Sequence, residues 1–312
     1  MSICITKDYD GIPDWNIPGL FIHDDTWLLF LKLISDKDIE IPFQYIYGTP
    51  YDTITGGGRN RTVFYNSQGL TEEQIIQQYN NFGIGCRLAL SNHLLQKKDY
   101  EDDLRLNNIL AYLNSSSMNN GVILCDDEFN DYIKNNYKNL QRICSIIRPA
   151  IEVGWGNENV EYYNNLCQKY DIVVLNCGFA KNINNIKQLK YKDKIEILVN
   201  TRCTLNCKLS KRHYDLVAAG YKNKNNNEIL LNIEAEEQKL FNDCINIKQQ
   251  NYFGSAMFST KEIQVLLDNK IRHFKLEGRN WPMEIIIRDM EYYISNDLTL
   301  IKLFTNSLGA LI

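Results

Sequence analysis

Two cysteines, Cys203 and Cys207, stand four residues apart directly after a short apolar run that ends at Asn200. This spacing predicts a strand-to-helix loop in which both sulfur atoms can point at one metal centre. His213 follows in the same segment, and Cys244 lies further along the chain. Three cysteines and one further ligand suit a 4Fe-4S iron–sulfur cluster. Zinc on the same ligands is the alternative, although structural zinc more often uses two-residue spacers. Two unrelated cysteines in a loop would be the non-functional interpretation.

An acid and a guanidinium, Glu277 and Arg279, end the last apolar run of the sequence. A carboxylate in a water-poor site can exchange protons near neutral pH, and an arginine can bind a carboxylate or phosphate with two hydrogen bonds. A structural Glu–Arg pair is the competing interpretation. Asp126 follows another run and is either a third catalytic candidate or a helix cap.

Apolar runs of four to eight residues alternate with segments of helical periodicity, which favours a parallel sheet with crossover helices. Eight such units are the size of a closed (β/α) barrel of the TIM type, with an open doubly wound sheet as the alternative. The predicted strands are residues 43–47, 84–90, 121–125, 142–147, 171–176, 195–200, 252–258 and 272–277. The chain 1–312 is interpreted as one domain. Residues 1–40 form an N-terminal extension with an extra helix (24–35), and residues 221–250 form an excursion before the seventh strand.

Polar residues follow the predicted strand ends, where barrels of this type place their active sites. A glycine run, 56–58, precedes an arginine that could clamp an anion. The predicted substrate-binding residues are Arg59, Asn92, Asn176 and Asn200.

Composition restricts the class of protein. Of the 312 residues, 44% are hydrophobic and 23% charged, which suits a globular protein with a full core. The net charge of −4 argues against a protein that coats duplex nucleic acid. The sequence has no recognisable export signal and no apolar stretch of ~18 residues, so we expect a cytoplasmic protein without a membrane span. Nine cysteines in that setting favour thiolate chemistry or metal binding over disulfides.

The hexapeptide Phe274 to Arg279 (Phe-Lys-Leu-Glu-Gly-Arg) resembles the Phe-Lys-Ile-Glu-Gly-Arg motif of the collagenase-like U32 peptidase family, which precedes a helix near the end of a barrel. The pair Cys203 and Cys207, a following His-Tyr dipeptide and a later cysteine resemble the same family's cysteine region. The resemblance spans residues 40–295. It implies a TIM-like barrel, a 4Fe-4S cluster on four cysteines, and activities that include oxygen-independent hydroxylation of RNA bases and ubiquinone precursors.

Carried over by motif, the resemblance implies that Cys203, Cys207 and Cys244 are cluster ligands and that Glu277 and Arg279 line the site. The fourth ligand is left open between His213 and Cys177. The family's Met-Lys-Ser after the arginine is replaced here by Asn-Trp-Pro, which implies a different substrate.

Three functions follow as hypotheses. The first is an iron–sulfur enzyme acting on a small or nucleotide-like substrate, with a redox hydroxylation as the reaction. The second is a hydrolase or peptidase in which Asp126 and Glu277 work with a divalent metal to activate water. The third is a non-catalytic barrel with a structural metal site that binds a partner protein. The sequence does not indicate the oligomeric state.

Overall fold

Eight parallel strands close into a barrel within residues 6–58, 69–250 and 256–295, which with Lys302 are the part of the chain that this computed structural model describes. Each strand pairs with the next along the chain, and the last pairs with the first. The predicted closed barrel is therefore confirmed. The strands are β1 (Asp14–Pro18), β2 (Tyr45–Gly48), β3 (Gly85–Ala89), β4 (Gly121–Leu124), β5 (Gln141–Cys144), β6 (Ile172–Leu175), β7 (Ile195–Leu198) and β8 (His273–Lys275).

Helices connect the strands, because parallel pairing requires the chain to cross back before it starts the next strand. Up to β7 they are α1 (Asp24–Asp36), α2 (Glu72–Asn81), α3 (Lys97–Glu101), α4 (Leu104–Ser115), α5 (Asp127–Asn136), α6 (Ile147–Glu152), α7 (Val160–Lys169), α8 (Cys177–Ala180) and α9 (Ile183–Gln188), followed by a 3-10 turn (Lys192–Lys194). Between β7 and β8 lie α10 (Ser210–Lys222), α11 (Asn227–Gln250) and α12 (Thr260–Asp268), and α13 (Met283–Tyr293) follows β8. None of these described helices has the length and apolar character needed to cross a membrane.

Local capping chemistry fixes where two of the predicted helices begin. The Thr71 hydroxyl accepts a hydrogen bond from the backbone N–H of Gln74, and the Gln74 side chain accepts one from the Thr71 N–H. Ser259 and Glu262 form the same reciprocal pair at the start of α12. Each box satisfies backbone donors that the first helical turn leaves without partners.

The interior of the barrel contains a buried charged layer rather than apolar side chains alone. Arg87 on β3 and Glu196 on β7 are both about 1% exposed and form an ion pair of 2.6 Å between Nη1 and Oε1. Asn16 donates to the same carboxylate oxygen at 3.3 Å, and Gln141 accepts from Arg87 Nη2 at 2.8 Å. The Arg87 guanidinium also lies 3.7 Å from the ring centroid of Tyr45. Each buried charge thus has an opposite charge or an aromatic face beside it, as burial in a low-dielectric interior requires.

The first barrel strand differs from the prediction. β1 lies inside residues 1–40, which had been interpreted as an extension, and the predicted helix 24–35 is α1, which connects β1 to β2. The predicted first strand, 43–47, is therefore β2. β1 contains only two strongly apolar residues, Trp15 and Ile17, because Asn16 between them points inward at Glu196. A polar residue facing a charged interior interrupts the apolar run that identified the other strands.

The described part of the predicted seventh strand 252–258, residues 256–258, is not in the barrel, where β7 pairs directly with β8. Residues 251–255 lie outside the described part, and residues 256–258 belong to no helix and no sheet. Ala256 donates to the Cys203 carbonyl at 3.3 Å and Phe258 to the Val199 carbonyl at 2.8 Å. Both side chains are buried, so the segment has the apolar composition of a barrel strand although it is not part of the sheet. The predicted excursion, 221–250, is the end of α10 followed by the long helix α11.

Candidate active site

The four predicted metal ligands line one cavity at the carboxyl end of the barrel. This cavity encloses about 380 Å³, which is within the range of small-molecule sites. Its walls include Cys203, Cys207, His213 and Cys244, together with the predicted acid Glu277. The structure thus brings together residues that are separated by up to 74 positions in the sequence, 203 to 277.

Three different elements supply these side chains. Cys203 and Cys207 lie in the loop between β7 and α10, His213 lies in α10, and Cys244 lies in α11. The His213 ring stacks on Tyr214 with ring centroids 5.4 Å apart and planes at 22°. Cys207 is buried, whereas Cys203 and Cys244 are partly exposed. The predicted strand-to-helix position of the cysteine pair agrees with this geometry.

The cysteine loop turns at Asn206, whose φ of 51° is in the left-handed region. Asparagine tolerates this conformation better than most residues. Its side-chain oxygen accepts a hydrogen bond from Asn176 Nδ2 at 3.0 Å. Gly178 and Gly156 lie so close to the Asn206 side chain that a Cβ atom on either would meet it. The loop that carries Cys203 and Cys207 is therefore anchored on the ends of β6 and α6 by one asparagine.

The kinds of donor in this cavity fit a metal centre, but their present spacing is not that of a bound ion. Cysteine thiolates are the usual ligands of iron–sulfur clusters, and thiolates and imidazoles are usual ligands of zinc. In the described part of the chain, no group of three or more His, Cys, Asp or Glu side chains is close enough together to hold a metal ion. Metal binding would therefore require Cys203, Cys207, His213 and Cys244 to move closer together within the cavity.

Cys177, the other candidate for a fourth ligand, lies elsewhere. Its thiol donates to the Leu198 carbonyl at 3.4 Å and lies 3.5 Å from the Thr201 hydroxyl. Burial raises the pKa of this thiol to about 12, which favours the protonated form over a metal-binding thiolate. It is not among the residues that line the cavity, so His213 is the better-placed candidate.

Hydrogen bonds to the backbone and to the carboxylate of Glu277 hold this residue in place. Asn200 accepts from the Glu277 N–H at 2.7 Å and donates to the Glu277 carbonyl at 3.0 Å. The backbone N–H of Arg202 donates to the Glu277 carboxylate at 3.3 Å. Asn200, predicted as a substrate-binding residue, therefore positions the acid, because both of its bonds to residue 277 are to backbone atoms.

An ion pair between Arg202 and Asp289 supports the wall of the cavity beside Glu277. Arg202 donates from Nη2 to both carboxylate oxygens of Asp289, at 2.9 and 3.1 Å, and its guanidinium lies 4.6 Å from the ring centroid of Trp281. Asn200 donates to Asp289 as well, at 2.8 Å. Asp289 therefore joins the cysteine loop to α13. Trp281, from the Asn-Trp-Pro segment that follows Arg279, adds an aromatic side chain to the wall of the cavity.

Arg279 lies in a smaller, adjoining cavity of about 80 Å³. Its guanidinium donates to the Thr49 hydroxyl and to the Gly57 carbonyl. Glu277 lines both cavities, so the acid lies at their boundary. Gly57 has no room for a side chain, because a Cβ would overlap the backbone of Ser91. The predicted glycine run therefore permits the close approach of two loops and supplies a carbonyl to the arginine.

Lys275 also lines the smaller cavity and was missed by the sequence analysis. It is about 7% exposed, and its ammonium lies 3.9 Å from the ring centroid of Tyr47. Burial lowers its pKa from 10.5 to about 7; Glu196 opposes this shift, and Arg87 and Arg279 add to it. The available signal was alternation: Lys275 ends β8, and residues 277 and 279 follow it at intervals of two, so residue 275 faces the same interior as the predicted acid.

Three further predicted residues, Asp126, Asn92 and Asn176, do not line either cavity. Asp126 caps α5 by accepting from the Phe129 N–H at 2.7 Å, and burial raises its pKa. Asn92 donates to the carbonyls of residues 54 and 218, which joins two loops. Asn176 caps α8 and binds Asn206. These three residues therefore have structural hydrogen bonds, and Arg59 lies outside the described residues.

Comparisons with known proteins support the fold. No protein-family profile and no curated protein sequence matches the chain. Its structure is similar to that of the U32 peptidase Mk0906, with a TM-score of 0.52 and 11% sequence identity over 88% of this chain and 96% of that chain. A weaker likeness, with a TM-score of 0.36 and 10% identity, is to the carboxyl transferase domain of Rhizobium etli pyruvate carboxylase, over 67% of this chain and 39% of that chain. The chain therefore has a U32-like TIM-barrel fold.

Proposed function

We propose that this protein is a metal-dependent enzyme of the U32 peptidase-like type that modifies a small or nucleotide-like substrate at the mouth of its barrel. The observation that carries the proposal is the 380 Å³ cavity, whose walls combine three cysteines, a histidine and an acid. Barrels of this architecture place their active sites at this end. A purely structural packing of the loop has no need for soft metal ligands and a carboxylate on the same cavity.

Cys203, Cys207, Cys244 and His213 would hold the metal centre, with a 4Fe-4S cluster as the first choice and zinc as the alternative. Three cysteines suit a cluster, and a histidine can replace a cysteine as an iron ligand. A bound cluster would supply electrons or a Lewis-acid iron to the reaction, including the oxygen-independent hydroxylation that we favour.

The chain's own residues have separate tasks in this proposal. Glu277 accepts and returns a proton, because it is a carboxylate held at the boundary of the two cavities. Arg279 provides positive charge for a carboxylate or phosphate of the substrate. Arg202 and Trp281 form the wall on which a flat substrate ring can stack. Asn200 positions Glu277 through the backbone.

The structure gives less support to the other two hypotheses. A hydrolase that uses both Asp126 and Glu277 is disfavoured, because Asp126 caps α5 and does not line either cavity. A purely structural metal site is normally closed by its ligands. Here the candidate ligands border a cavity with room for a small molecule. The likeness to the U32 peptidase Mk0906 is compatible with each hypothesis, because it concerns the fold.

Anaerobic purification tests the proposal. We expect a brown protein with stoichiometric iron and sulfide, and we expect Cys203→Ala, Cys207→Ala and Cys244→Ala to lose both. Cys177→Ala is the matched control, since it removes a buried thiol that does not line the cavity, and it should retain the iron. Glu277→Gln should retain the iron as well and lose turnover. Colourless protein with stoichiometric zinc would assign zinc, and not the cluster, as the metal centre. Full iron in the Cys203→Ala, Cys207→Ala double variant would refute the ligand assignment.

A further inference from the structure

The smaller cavity contains a lysine whose amine has no polar partner in the described part of the chain. Lys275 points from β8 into the barrel interior, and its ammonium lies over the face of the Tyr47 ring. The neighbouring anion, Glu196, contacts Arg87 and Asn16 through one oxygen, Oε1, and its Oε2 accepts no hydrogen bond from the described residues. Since the residue lines the cavity, its amine is available to a ligand bound there.

The charges around Lys275 keep part of the amine neutral. Arg87 and Arg279 disfavour a further positive charge, and burial acts in the same direction, while Glu196 opposes both. With a pKa of about 7, roughly half of the amine is unprotonated at pH 7, against roughly one part in 3,000 for an ordinary lysine with a pKa of 10.5. A neutral amine is a nucleophile, and desolvation beside another cation is a known way to activate a lysine.

We propose that Lys275 forms a reversible imine with a small 2-oxo acid bound in the 80 Å³ cavity. The neutral amine adds its electron pair to the carbonyl carbon, and the carbonyl oxygen takes up a proton while the nitrogen releases one. The C–O bond then breaks as the nitrogen lone pair forms the C=N bond; the hydroxyl leaves as water with a proton, and the nitrogen releases its second proton, so that amine and ketone give imine and water. No oxidant, reductant or metal is needed for this balance.

The lining of the cavity selects this class of ligand. Arg279 lies on the same cavity and supplies a positive charge for the carboxylate. Glu277, two residues along the same strand direction, lies where it can carry the protons that the nitrogen and oxygen exchange. The volume of about 80 Å³ has room for roughly five to eight water molecules at ~10–15 Å³ each, which matches a three-carbon 2-oxo acid with its six non-hydrogen atoms.

This inference goes beyond the metal-dependent function and does not rest on it. The smaller cavity is lined by no cysteine among the described residues, although it shares Glu277 with the larger one. Imine formation should therefore proceed in protein without a metal and in the Cys203→Ala, Cys207→Ala double variant. Failure of the metal proposal and failure of this one are separate results.

Reductive trapping tests the proposal. The full chain is incubated with pyruvate and borohydride, which converts an imine into a stable secondary amine, and the modified residue is identified by peptide mapping. We expect one adduct per chain, on Lys275, in at least roughly tenfold excess over any exposed lysine, because of its larger neutral fraction. Acetone, which lacks the carboxylate, should label less. Lactate, which lacks the carbonyl, should compete.

Two variants complete the test. Lys275→Arg keeps the charge but cannot form an imine, and it should abolish the adduct. Lys194→Arg is the matched control, because Lys194 is a partly buried lysine whose amine already donates to the carbonyls of Cys167 and Tyr170; it should leave the labelling unchanged. The proposal would be overturned if adducts were spread evenly over exposed lysines, or if Lys275→Arg were labelled as much as the unaltered protein. Mapping of the unaltered protein decides the matter even where a variant does not fold.

Discussion

Replacement of Glu196 by glutamine should severely destabilise the barrel. The change leaves the Arg87 guanidinium, about 1% exposed and 2.6 Å from the present carboxylate, without a counter-ion. Removal of one partner of a buried ion pair costs about 3–5 kcal/mol. Lys275 loses the same anion, so we expect a value near the upper end. Since globular domains have about 5–15 kcal/mol of stability in all, the variant would lose between about a third and all of it.

Urea denaturation followed by circular dichroism measures this cost. Glu101→Gln is the matched control, because Glu101 pairs with Lys97 at the surface, at 3.4 Å. We expect the control to change the free energy of unfolding by about 0–1 kcal/mol. The double variant Arg87→Met, Glu196→Gln removes both charges, and it should be more stable than Glu196→Gln alone. A cost below about 1 kcal/mol for Glu196→Gln, or a double variant less stable than either single one, would contradict the reasoning.

The pH dependence provides a second check on the same pair. Burial raises the pKa of Glu196, but Arg87, Lys275 and His273 outweigh it, so the pKa is held below its ordinary value of 4.5. A carboxyl group with a lowered pKa stabilises the folded state fully above pH 4.5 and loses this contribution as the pH falls through the folded-state pKa. The stability difference between the unaltered protein and Glu196→Gln should therefore narrow in acid.

Two further predictions concern the mouth of the barrel. The pKa of Lys275 is lowered from 10.5 to about 7, so the folded state binds fewer protons than the unfolded state between these values and gains stability as the pH rises. Unfolding of the unaltered protein should therefore become more costly by about 2 kcal/mol between pH 7 and pH 9 relative to Lys275→Met, as measured by urea titration at both pH values. Gly178→Ala should destabilise the protein by about 1–3 kcal/mol, because the new methyl group overlaps the Asn206 side chain. The same variant should change the alkylation rate of Cys203, and an unaltered rate would show that Asn206 does not position the loop.

Seven of the barrel strands could be predicted from the sequence because each lies in a mostly apolar run, of which β6 (Ile172–Leu175) is the uninterrupted example. β1 was missed because its inward residue, Asn16, completes the charged layer of the interior. Residues 256–258 led to the opposite error, a strand predicted where the barrel has none. Burial determines composition, and a buried segment outside the sheet has the same composition as one within it.

The candidate site was only partly predictable, since the spacing of residues identifies a loop but not what the loop faces. The segment of Cys203 and Cys207 and the motif of Glu277 lie on one cavity, as their positions after strands suggested. Asp126 also follows a strand, yet it is used as a helix cap, which is a role with the same sequence pattern. Lys275 was missed because a lysine inside an apolar run looks like an interruption, and only the closed barrel reveals the neighbours that surround it.

Closure through β1 and β8 has a consequence for the order of events during synthesis. The ladder that seals the cylinder joins residues 14–16 to residues 273–275. A ribosome must therefore produce almost the entire sequence before the first strand acquires its second neighbour. Until then an edge of unpaired backbone N–H and C=O groups stays open, and contacts so distant along the polypeptide form slowly. The emerging polypeptide is therefore most exposed to misassociation just before translation reaches its eighth strand.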